Sequence, residues 1–415
     1  MTEAFVLGGV RTPFARYGSS LSHIRTDDLL GMTMKGACER VGVELGAIED
    51  VVAGCVNPAH EGMGDVARWA ALAAGFPDTV AGTTINRFCG SSLSATINVA
   101  HAIKAGDLGV GMACGVESMS RSGWAYMKGD APFAPRGPVI LLDTMWAGAG
   151  GPPNPALLAR NAYIGMIETA QKVADRYGLT REEIDAFALR TQRNAKAARD
   201  SGRLAKEIMP VQIAGTKKSP ARLFEHDEFI RDETTAEQLA ALRPQPGTTQ
   251  MTAANSTPLT DGASALVLAS GERAAELGVE PLARVVSSAV YGIDPLFMGL
   301  APAWALPLAI KRAGLTPEQI DVWEVHEAFS AQALGVLREL PNQLGGFVVP
   351  DEKLTPNGGA VAIGHPFGAT GARYVLTLAT ELRERNARYG AIGVCVGSGQ
   401  GVASRPGSPT TSHSQ

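Results

Sequence analysis

The chain has 415 residues, of which 45% are hydrophobic and 19% charged, and its formal net charge is −4. This length exceeds that of one ordinary core and predicts about two to three structural units. The small net charge excludes a global field that would draw the protein to nucleic acid or to an anionic membrane. Abundant glycine, 48 residues, with only 6% aromatics favours close packing of helices on sheets in an α/β fold.

The cysteines and the chain start bear on the cellular compartment. Five cysteines, an odd number without a Cys-x-x-Cys pair, match neither a disulfide framework nor a zinc site. Free thiols indicate a reducing compartment, and residues 1–10 lack the basic and long apolar regions of a signal peptide. No apolar run reaches the length of a membrane span. We therefore expect a cytoplasmic protein without a bound metal.

An internal repeat is the strongest organisational signal in the chain. Residues 35–55 read as a helix end, a short loop and a strand, and residues 311–326 repeat this order. A helix of small residues with a following strand at 91–114 is matched in the same way by residues 368–395. The repeat predicts two similar halves built from βαβ units.

The repeat sets the predicted domain boundaries. We assign residues 1–120 plus 251–285 to an N-terminal half and residues 286–403 to a C-terminal half. Residues 121–250 lie between them and read as a large insertion, a loop domain of the kind that often builds a substrate site. The polar residues 404–415 predict a disordered tail.

The insertion contains one clear helical signal. Many proline and glycine residues are followed by an amphipathic helical stretch at 170–199. Within it, Thr180 and Glu183 have the spacing of a capping box, in which the threonine caps the helix and the glutamate returns the hydrogen bond.

Cys89 is the first candidate for chemistry. It follows a strand-like segment at 83–86 and precedes a glycine and two serines, which suits a tight turn from strand to helix. The free N–H groups and the dipole at a helix N-terminus stabilise a thiolate, so we predict a lowered thiol pKa. The alternative is an inert buried cysteine, which is our interpretation of Cys38 and Cys55.

His365 lies in a glycine-rich segment and precedes Pro366, which fits the first turn of a following helix. It occupies the repeat position of Cys89, so we expect two corresponding helix N-termini to face each other. A base beside a thiol is the arrangement of Cys–His covalent catalysis. The alternative is a structural histidine whose hydrogen bonds are satisfied.

His326 and Cys395 each end a buried-looking strand. A neutral His326 can donate a hydrogen bond to a developing oxyanion, although a core histidine bonded to Glu327 or to backbone fits equally. Cys395 is a candidate acid/base thiol beside glycines whose N–H groups suit a second oxyanion site. A dinucleotide loop at 397–401 is excluded because too few residues follow it for the required helix and strand.

Taken together, these segments resemble the thiolases from about residue 4 to residue 403. The motifs that carry the resemblance are the segment around Cys89, Gly-Val-Glu-Ser-Met-Ser at 115–120, Thr-Ala-Ala-Asn-Ser-Thr at 252–257, His-Glu-Ala-Phe at 326–329, the segment from Asn357 to Pro366, and Cys395 with its glycines. The resemblance implies a duplicated five-layer α-β-α-β-α fold with an inserted loop domain, assembled as a homodimer or homotetramer. It implies an acyltransferase that uses coenzyme A as a co-substrate, with no permanently bound cofactor.

The resemblance also implies a role for each site residue. It makes Cys89 the acylated nucleophile, His365 the base that activates Cys89, and Cys395 the acid/base. It also implies two oxyanion holes. His365 and His326 form the first, and the backbone N–H groups of Cys89 and Gly397 form the second. Ala253 and Thr257 match positions that line the pantetheine channel in the family. We also predict that Met166 and Phe329 bind the substrate.

Departures from the family pattern bear on the substrate. The His-Glu-Ala-Phe form at 326–329 is similar to the thiolase subunits of fatty-acid oxidation complexes. It predicts thiolytic cleavage of 3-ketoacyl-CoA in fatty-acid β-oxidation through an acyl-cysteine intermediate, with a hydratase/dehydrogenase as a potential partner subunit. Ser398 replaces a glycine that is usual in the last motif, and residues 165–171, which shape the acyl pocket in relatives, diverge.

Other functions stay open at this point. An acetyl-CoA C-acetyltransferase would use the same chemistry with a smaller pocket. A β-ketoacyl synthase shares the duplicated fold, but the second thiol, Cys395, argues against it. A non-catalytic acyl-CoA-binding subunit is disfavoured because all the catalytic positions are filled.

Overall fold

The computed structural model describes residues 2–125, 141–144, 154–215, 217 and 220–409. Its strands are β1 Ala4–Arg11, β2 Ala15–Arg16, β3 Asp50–Gly54, β4 Ala81–Ile85, β5 Val110–Ser118, β6 Trp124–Ala125, β7 Leu142–Asp143, β8 Val211–Ile213, β9 Arg222–Phe224, β10 Thr260–Ser270, β11 Ala283–Gly292, β12 Val322–Val325, β13 Gly390–Val396 and β14 Gln400–Gly407. Its α-helices are α1 Thr26–Val41, α2 Val66–Ala73, α3 Ser91–Ala105, α4 Pro155–Leu158, α5 Met166–Tyr177, α6 Arg181–Asp200, α7 Ala236–Ala240, α8 Gly271–Glu276, α9 Pro302–Arg312, α10 Ser330–Gln343, α11 Ala360–Ile363 and α12 Thr370–Glu384.

One long sheet runs through the molecule in the order β4-β3-β5-β10-β1-β11-β14-β13-β12. At one end β3 is parallel to β4 and β5, and antiparallel β10 and β1 follow β5. At the other end β12 and β13 are parallel, and antiparallel β14 and β11 follow β13. This shared order of parallel and antiparallel strands confirms the predicted repeat. β1 and β11 join the two halves through the pairs Phe5–Arg284 and Val6–Ala283.

Helices cover both faces of each half and complete five layers. α1 and α2 pack on the outer face of the first half, and α9 and α10 pack on the outer face of the second. α3 and α12 lie between the halves, where Leu93 and Val375 share a core with Leu266 and Val394 of the sheet. This is the predicted α-β-α-β-α order, because a sheet that is apolar on both faces needs a helical layer on each.

Small residues let α3 and α12 approach closely. A Cβ atom on Gly371 would overlap the backbone nitrogen of Leu93. The backbone N–H of Ala372 donates to the Ser92 hydroxyl at 2.9 Å. The N-terminal ends of the two helices therefore meet, as the repeat predicts.

The insertion forms two helices, α5 and α6, across the stretch at 170–199 that the sequence predicts to be helical. α5 ends at Gly178, whose φ of 60° is left-handed and suits glycine. α6 begins with the predicted capping box, since the Thr180 hydroxyl accepts the Glu183 N–H and the Glu183 carboxylate accepts the Thr180 N–H at 2.8 Å. α5 packs on α10, and α6 packs on α10 and α11, so both helices lie against the second half.

The predicted tail begins too early. Residues 404–407 belong to β14, and Ser404 and Arg405 are buried opposite β11. Pairing with β11 outweighs the polar composition there, because it satisfies the backbone N–H and C=O groups of both strands. The end of the predicted tail, residues 410–415, lies outside the described residues. The other domain boundaries stay predictions.

Three further findings concern the cysteines, membrane-spanning helices and metal sites. All five cysteines are free thiols, as predicted. Within the described ranges, no helix is long and apolar enough to cross a membrane, and no group of three or more His, Cys, Asp or Glu side chains is placed to hold a metal ion.

Candidate active site

A strained turn presents Cys89 just before α3. Phe88 has a φ of 44°, in the left-handed region, and Gly90 occupies the N-cap. The Ser91 hydroxyl closes the turn, because it accepts the backbone N–H of Arg87 at 2.9 Å and donates to the carbonyl of Phe88 at 2.6 Å. Left-handed backbone costs a non-glycine residue about 1–2 kcal/mol. The surrounding fold therefore holds the thiol in one position.

The environment of Cys89 contradicts the predicted low thiol pKa. Although part of Cys89 stays exposed, burial raises its pKa to about 12, while the backbone N–H groups of Cys89 and Gly397 act to lower it. Desolvation outweighs them because two neutral donors do not replace the water that a thiolate loses. In the ligand-free protein the thiol is protonated at neutral pH and needs a base to become a nucleophile.

His365 is a neutral base with a defined tautomer. Its Nδ1 lies 2.7 Å from the Thr370 hydroxyl, which itself donates to the Pro366 carbonyl at 2.9 Å. Because that hydroxyl has only one proton, it accepts from Nδ1–H, and Nε2 keeps a lone pair. Nε2 has no hydrogen-bond partner among the described residues. Burial lowers the pKa of His365 to about 3, so the imidazole is neutral.

Glu117 ties the loop of His365 to the first half of the molecule. Its carboxylate accepts the N–H groups of Gly368 at 2.8 Å, Asn57 at 2.8 Å and Val56 at 3.1 Å. Burial raises the pKa of Glu117 to about 7, against the effect of these three donors. No role was predicted for Glu117. A carboxylate at the end of a buried strand could have been singled out, because a buried glutamate needs hydrogen-bond or charged partners.

His326 lies beside His365, with the two ring centroids 4.3 Å apart. It is fully buried, and its backbone N–H extends the β12–β13 pairing by donating to Gly393 at 2.9 Å. Its Nδ1 lies 3.3 Å from the hydroxyl of Tyr374, and its Nε2 is unpaired over the described ranges. Burial, reinforced by His365 and Arg373, lowers the pKa of His326 far below its usual value, so this ring is also neutral.

Cys395 is fully buried in β13 and belongs to an apolar cluster with Phe329 and Met298. Burial raises the pKa of its thiol well above the ordinary value, and the neighbouring Cys89 acts in the same direction. The backbone N–H of Ala328, two residues after His326 in the chain, acts to lower this pKa, while its hydrogen bond goes to the side-chain oxygen of Gln332 at 3.0 Å. The two predicted thiols therefore interact with each other, the two predicted histidine rings contact each other, and the short segment from His326 to Ala328 lies beside both pairs.

The loop after Cys395 adopts left-handed backbone at two successive residues. Ser398 has a φ of 62° and Gly399 a φ of 79°. A side chain on Gly399 would overlap the carbonyl of Ile293, so glycine is required there. Ser398, which departs from the family glycine, takes this conformation at a cost of about 1–2 kcal/mol, and Gly397 still directs its N–H at Cys89.

Ala253, one of the predicted substrate-binding residues, lines an open cleft. Phe229, Arg231, Ser256 and Pro258 are among the other lining residues. Thr257 lies between the last two in sequence, and its N–H donates to the carbonyl of Ala328 at 3.0 Å. The cleft is thereby connected through backbone to the segment that contacts the second thiol.

Phe329 and Met166, the other two predicted substrate-binding residues, differ in burial. Phe329 is 6% exposed and packs in the apolar cluster around the second thiol. Met166 is 41% exposed in the first turn of α5, and its neighbour Ile167 reaches that cluster instead. Gln171 fixes the diverged segment, because its side-chain oxygen accepts the two backbone N–H groups of residues 249–250 at 3.0 and 3.1 Å.

Three residues that touch the histidines carried no predicted role. Thr260 accepts the backbone N–H of His365 at 3.0 Å, while Thr370 and Tyr374 contact histidine ring nitrogens. Thr370 and Tyr374 are four residues apart on α12 and so share one face of the helix. The spacing predicts that Thr370 and Tyr374 lie on the same face of α12. Only the packing of α12 in the structure shows that this face contacts the histidines.

Comparisons with known proteins agree with this geometry. The sequence profile of the thiolase N-terminal domain matches residues 4–272, and that of the thiolase C-terminal domain matches residues 279–405. A 3-oxoadipyl-CoA/3-oxo-5,6-dehydrosuberyl-CoA thiolase of Escherichia coli K12 is 43% identical over 407 residues, which cover 97% of this chain and 98% of the relative. An acetyl-CoA acetyltransferase of Cupriavidus necator is 38% identical over 413 residues, with the same coverage of 97% and 98%.

Solved structures give the same result. Human mitochondrial 3-ketoacyl-CoA thiolase superposes with a TM-score of 0.89 at 32% identity, over 99% of both chains. Bacillus anthracis acetyl-CoA acetyltransferase superposes with a TM-score of 0.88 at 36% identity, over 98% of this chain and 99% of that one. The fold and its paired thiols and histidines define an acyltransferase. The chain belongs to the thiolase family, and the predicted thiolase-like α/β fold is confirmed.

Proposed function

We propose that this protein catalyses the CoA-dependent thiolytic cleavage of 3-oxoacyl-CoA by a ping-pong reaction through an acyl-Cys89 intermediate. The observation that carries the proposal is the pair of neutral histidines, whose ring centroids lie 4.3 Å apart and whose Nε2 atoms are both unpaired among the described residues. Beside two thiols that are protonated at rest, these rings offer the proton transfers and oxyanion contacts that the reaction needs.

Acylation begins at Cys89. The Nε2 lone pair of His365 takes the thiol proton as the sulfur attacks C3, the ketone carbon of the substrate. The N–H groups of Cys89 and Gly397, which already converge on the sulfur, stabilise the oxyanion formed from the ketone oxygen. The C2–C3 bond then breaks, the acyl group remains on the sulfur as a thioester, and the electron pair stays on C2.

Cys395 completes both half-reactions. Its thiol, which burial keeps protonated, gives its proton to C2, and acetyl-CoA leaves. In the second half-reaction the thiol of CoA returns a proton to Cys395 and attacks the acyl thioester. The Cys89 thiolate departs and takes back the proton held by His365, so every group returns to its starting state. His326 donates to the thioester oxygen while the enolate of acetyl-CoA exists.

The relatives support a particular substrate class. Seven relatives at 39–43% identity over 97% of the chain are named for β-ketoadipyl-CoA or 3-oxoadipyl-CoA, whose acyl chains end in a carboxylate. We therefore favour a 3-oxo dicarboxylic acyl-CoA over the fatty acyl chain of β-oxidation that the motif at 326–329 predicts. An acetyl-CoA C-acetyltransferase is the second candidate, supported by the relative at 38% identity.

A comparison of substrates tests the proposal. Purified protein is mixed with CoA and with 3-oxoadipyl-CoA, acetoacetyl-CoA or 3-oxodecanoyl-CoA, and loss of the enolate absorbance is followed. We expect kcat/KM to be highest for 3-oxoadipyl-CoA by about tenfold. Preference for acetoacetyl-CoA would instead identify an acetyl-CoA C-acetyltransferase. Preference for 3-oxodecanoyl-CoA would support the thiolase of fatty-acid β-oxidation that the motif at 326–329 predicts. Absence of turnover on all three would contradict the thiolase reaction itself.

We also propose assembly as a homodimer or homotetramer in the cytoplasm, with a hydratase/dehydrogenase subunit still a predicted partner. β4 is an edge strand, and Trp69, Leu72 and Phe88 near it are exposed. Apolar side chains beside an open strand edge favour an interface between chains. Light scattering after gel filtration measures the mass, and a monomer of 43.3 kDa would contradict the proposal.

A further inference from the structure

We propose that Tyr374 is a positioning residue that holds His326 in the tautomer protonated on Nε2, opposite to the tautomer of His365. The inference rests on the proposed function, because it assigns the hydrogen-bond donor that faces the thioester oxygen. Nothing in the local sequence around His326 identifies this residue, which lies 48 positions later in the chain.

The packing of Tyr374 leaves its hydroxyl little freedom. The side chain is fully buried on α12, and the guanidinium of Arg373 lies over the ring, 3.8 Å from the centroid. The tyrosine ring meets the His326 ring nearly at right angles, 82°, with centroids 5.6 Å apart. In this edge-on arrangement the hydroxyl oxygen lies 3.3 Å from Nδ1 of His326.

The direction of that hydrogen bond follows from what each choice leaves unpaired. Over the described residues, Nδ1 of His326 is the hydrogen-bond partner of the Tyr374 hydroxyl, and Nε2 of His326 has none. If the hydroxyl donates to Nδ1, one buried group, the Nε2–H of His326, lacks a partner within the protein. If the hydroxyl instead accepts from Nδ1–H, its own proton and the Nε2 lone pair both lack one, which costs more free energy.

The two histidines are thereby set to opposite tautomers. Thr370 accepts from Nδ1–H of His365, which leaves a lone pair on Nε2 of that ring. Tyr374 donates to Nδ1 of His326, which places the proton of that ring on Nε2. Two neutral rings 4.3 Å apart therefore present one acceptor, suited to the Cys89 thiol, and one donor, suited to an enolate oxygen.

Tyr374→Phe tests the assignment, because phenylalanine keeps the ring against Arg373 and removes only the hydroxyl. We expect kcat for thiolysis to fall about tenfold, because His326 then divides between two tautomers, while KM for CoA changes by less than about twofold. Tyr389→Phe is the matched control. It also removes a phenol hydroxyl, but from a residue just before β13 that packs against the outer core of the second half, and it should leave kcat unchanged.

The tautomer itself is measured by nitrogen-15 NMR of histidine-labelled protein, with the His326 signals assigned by their loss in His326→Asn. Wild-type protein should show a protonated Nε2 and an unprotonated Nδ1 at His326, and Tyr374→Phe should shift both signals. A proton on Nδ1 in the wild type overturns the proposal whatever the activity. Unchanged kcat together with unchanged signals in Tyr374→Phe does the same. The expected wild-type signals in a protein without thiolase activity would defeat the proposed function alone.

Discussion

The Glu117 carboxylate accepts the backbone N–H of Gly368 at 2.8 Å, so a strand of the first half holds the loop that carries the base of the second half. The same carboxylate accepts two N–H groups from the segment after β3. Because these donors come from both halves of the repeat, the Glu117 side chain joins the two halves at the site. The effect of this carboxylate on the free energy of unfolding and its effect on kcat can be measured separately.

We expect Glu117→Gln to lower the free energy of unfolding by about 1–3 kcal/mol, because the amide nitrogen cannot accept and leaves a buried N–H unpaired. kcat should fall as well, since the His365 loop loses its anchor. Urea denaturation and the thiolysis assay measure the two effects. Glu49→Gln is the control, because Glu49 also accepts two backbone N–H groups, at 2.9 and 2.8 Å, near the far end of β5. Equal losses of kcat in both variants would contradict the anchoring role.

The two active-site thiols should separate in partial reactions. Cys89→Ser should gain no acetyl group from acetyl-CoA, whereas Cys395→Ser should still be acetylated on Cys89. Thiolysis by Cys395→Ser should fall about 10²–10⁴-fold, the usual contribution of a general acid. Intact-protein mass spectrometry and steady-state rates measure these outcomes, with the buried Cys114→Ser as control. Acetylation of all three variants to the same extent would show that the roles are assigned wrongly.

Alkylation of Cys89 should depend steeply on pH. Because burial raises the pKa of Cys89 to about 12, the thiolate fraction grows tenfold per pH unit below that value. We expect the rate of iodoacetamide modification to rise without a plateau from about pH 6 to about pH 9, measured by peptide mapping with Cys89→Ser as background. A plateau with a midpoint at or below about 8.5, the ordinary thiol value, would show that His365 already stabilises the thiolate.

Gly371→Ala should destabilise the protein although alanine is the better helix former. Inside a helix this change normally gains up to about 1 kcal/mol. Here the new Cβ would overlap the backbone of Leu93, and we expect a net loss of about 1–3 kcal/mol in the free energy of unfolding. Gly46→Ala is the control, since its Cβ would meet Pro77 at 3.6 Å, an ordinary contact. A stabilised Gly371→Ala would mean that α3 and α12 can move apart freely.

Sequence patterns correctly predicted local features that depend on residues close together in the chain. The capping box at Thr180 and the strand–turn–helix around Cys89 depend on neighbouring residues, and both are present. The repeat predicted the two halves because hydrophobic periodicity and order survive in each. The cap at Thr180 predicted the start of α6, but not the end of α5 at Gly178, because the apolar pattern continues on both sides and the left-handed φ of Gly178 is not visible in it.

Tertiary effects account for what the sequence did not predict. The N–H groups of Cys89 and of Gly397, which follows β13, lower the thiol pKa of Cys89, but burial raises it by more. The contact of Tyr374 with His326 joins residues 48 positions apart and depends on how α12 packs. The strand pairing of residues 404–407 likewise requires β11, so their polar composition misled the prediction.

The pairing of β1 with both β10 and β11 constrains how the chain reaches its native state. The strand at residues 4–11 pairs with the strands at residues 260–270 and 283–292. During synthesis this first strand leaves the ribosome long before either partner exists, and both its edges stay open to pairing with other chains. Closing so long a loop is slow, because the entropy of the intervening chain is lost before the contacts form. The newly made protein therefore depends on protection from aggregation until the strand that ends at residue 292 has emerged.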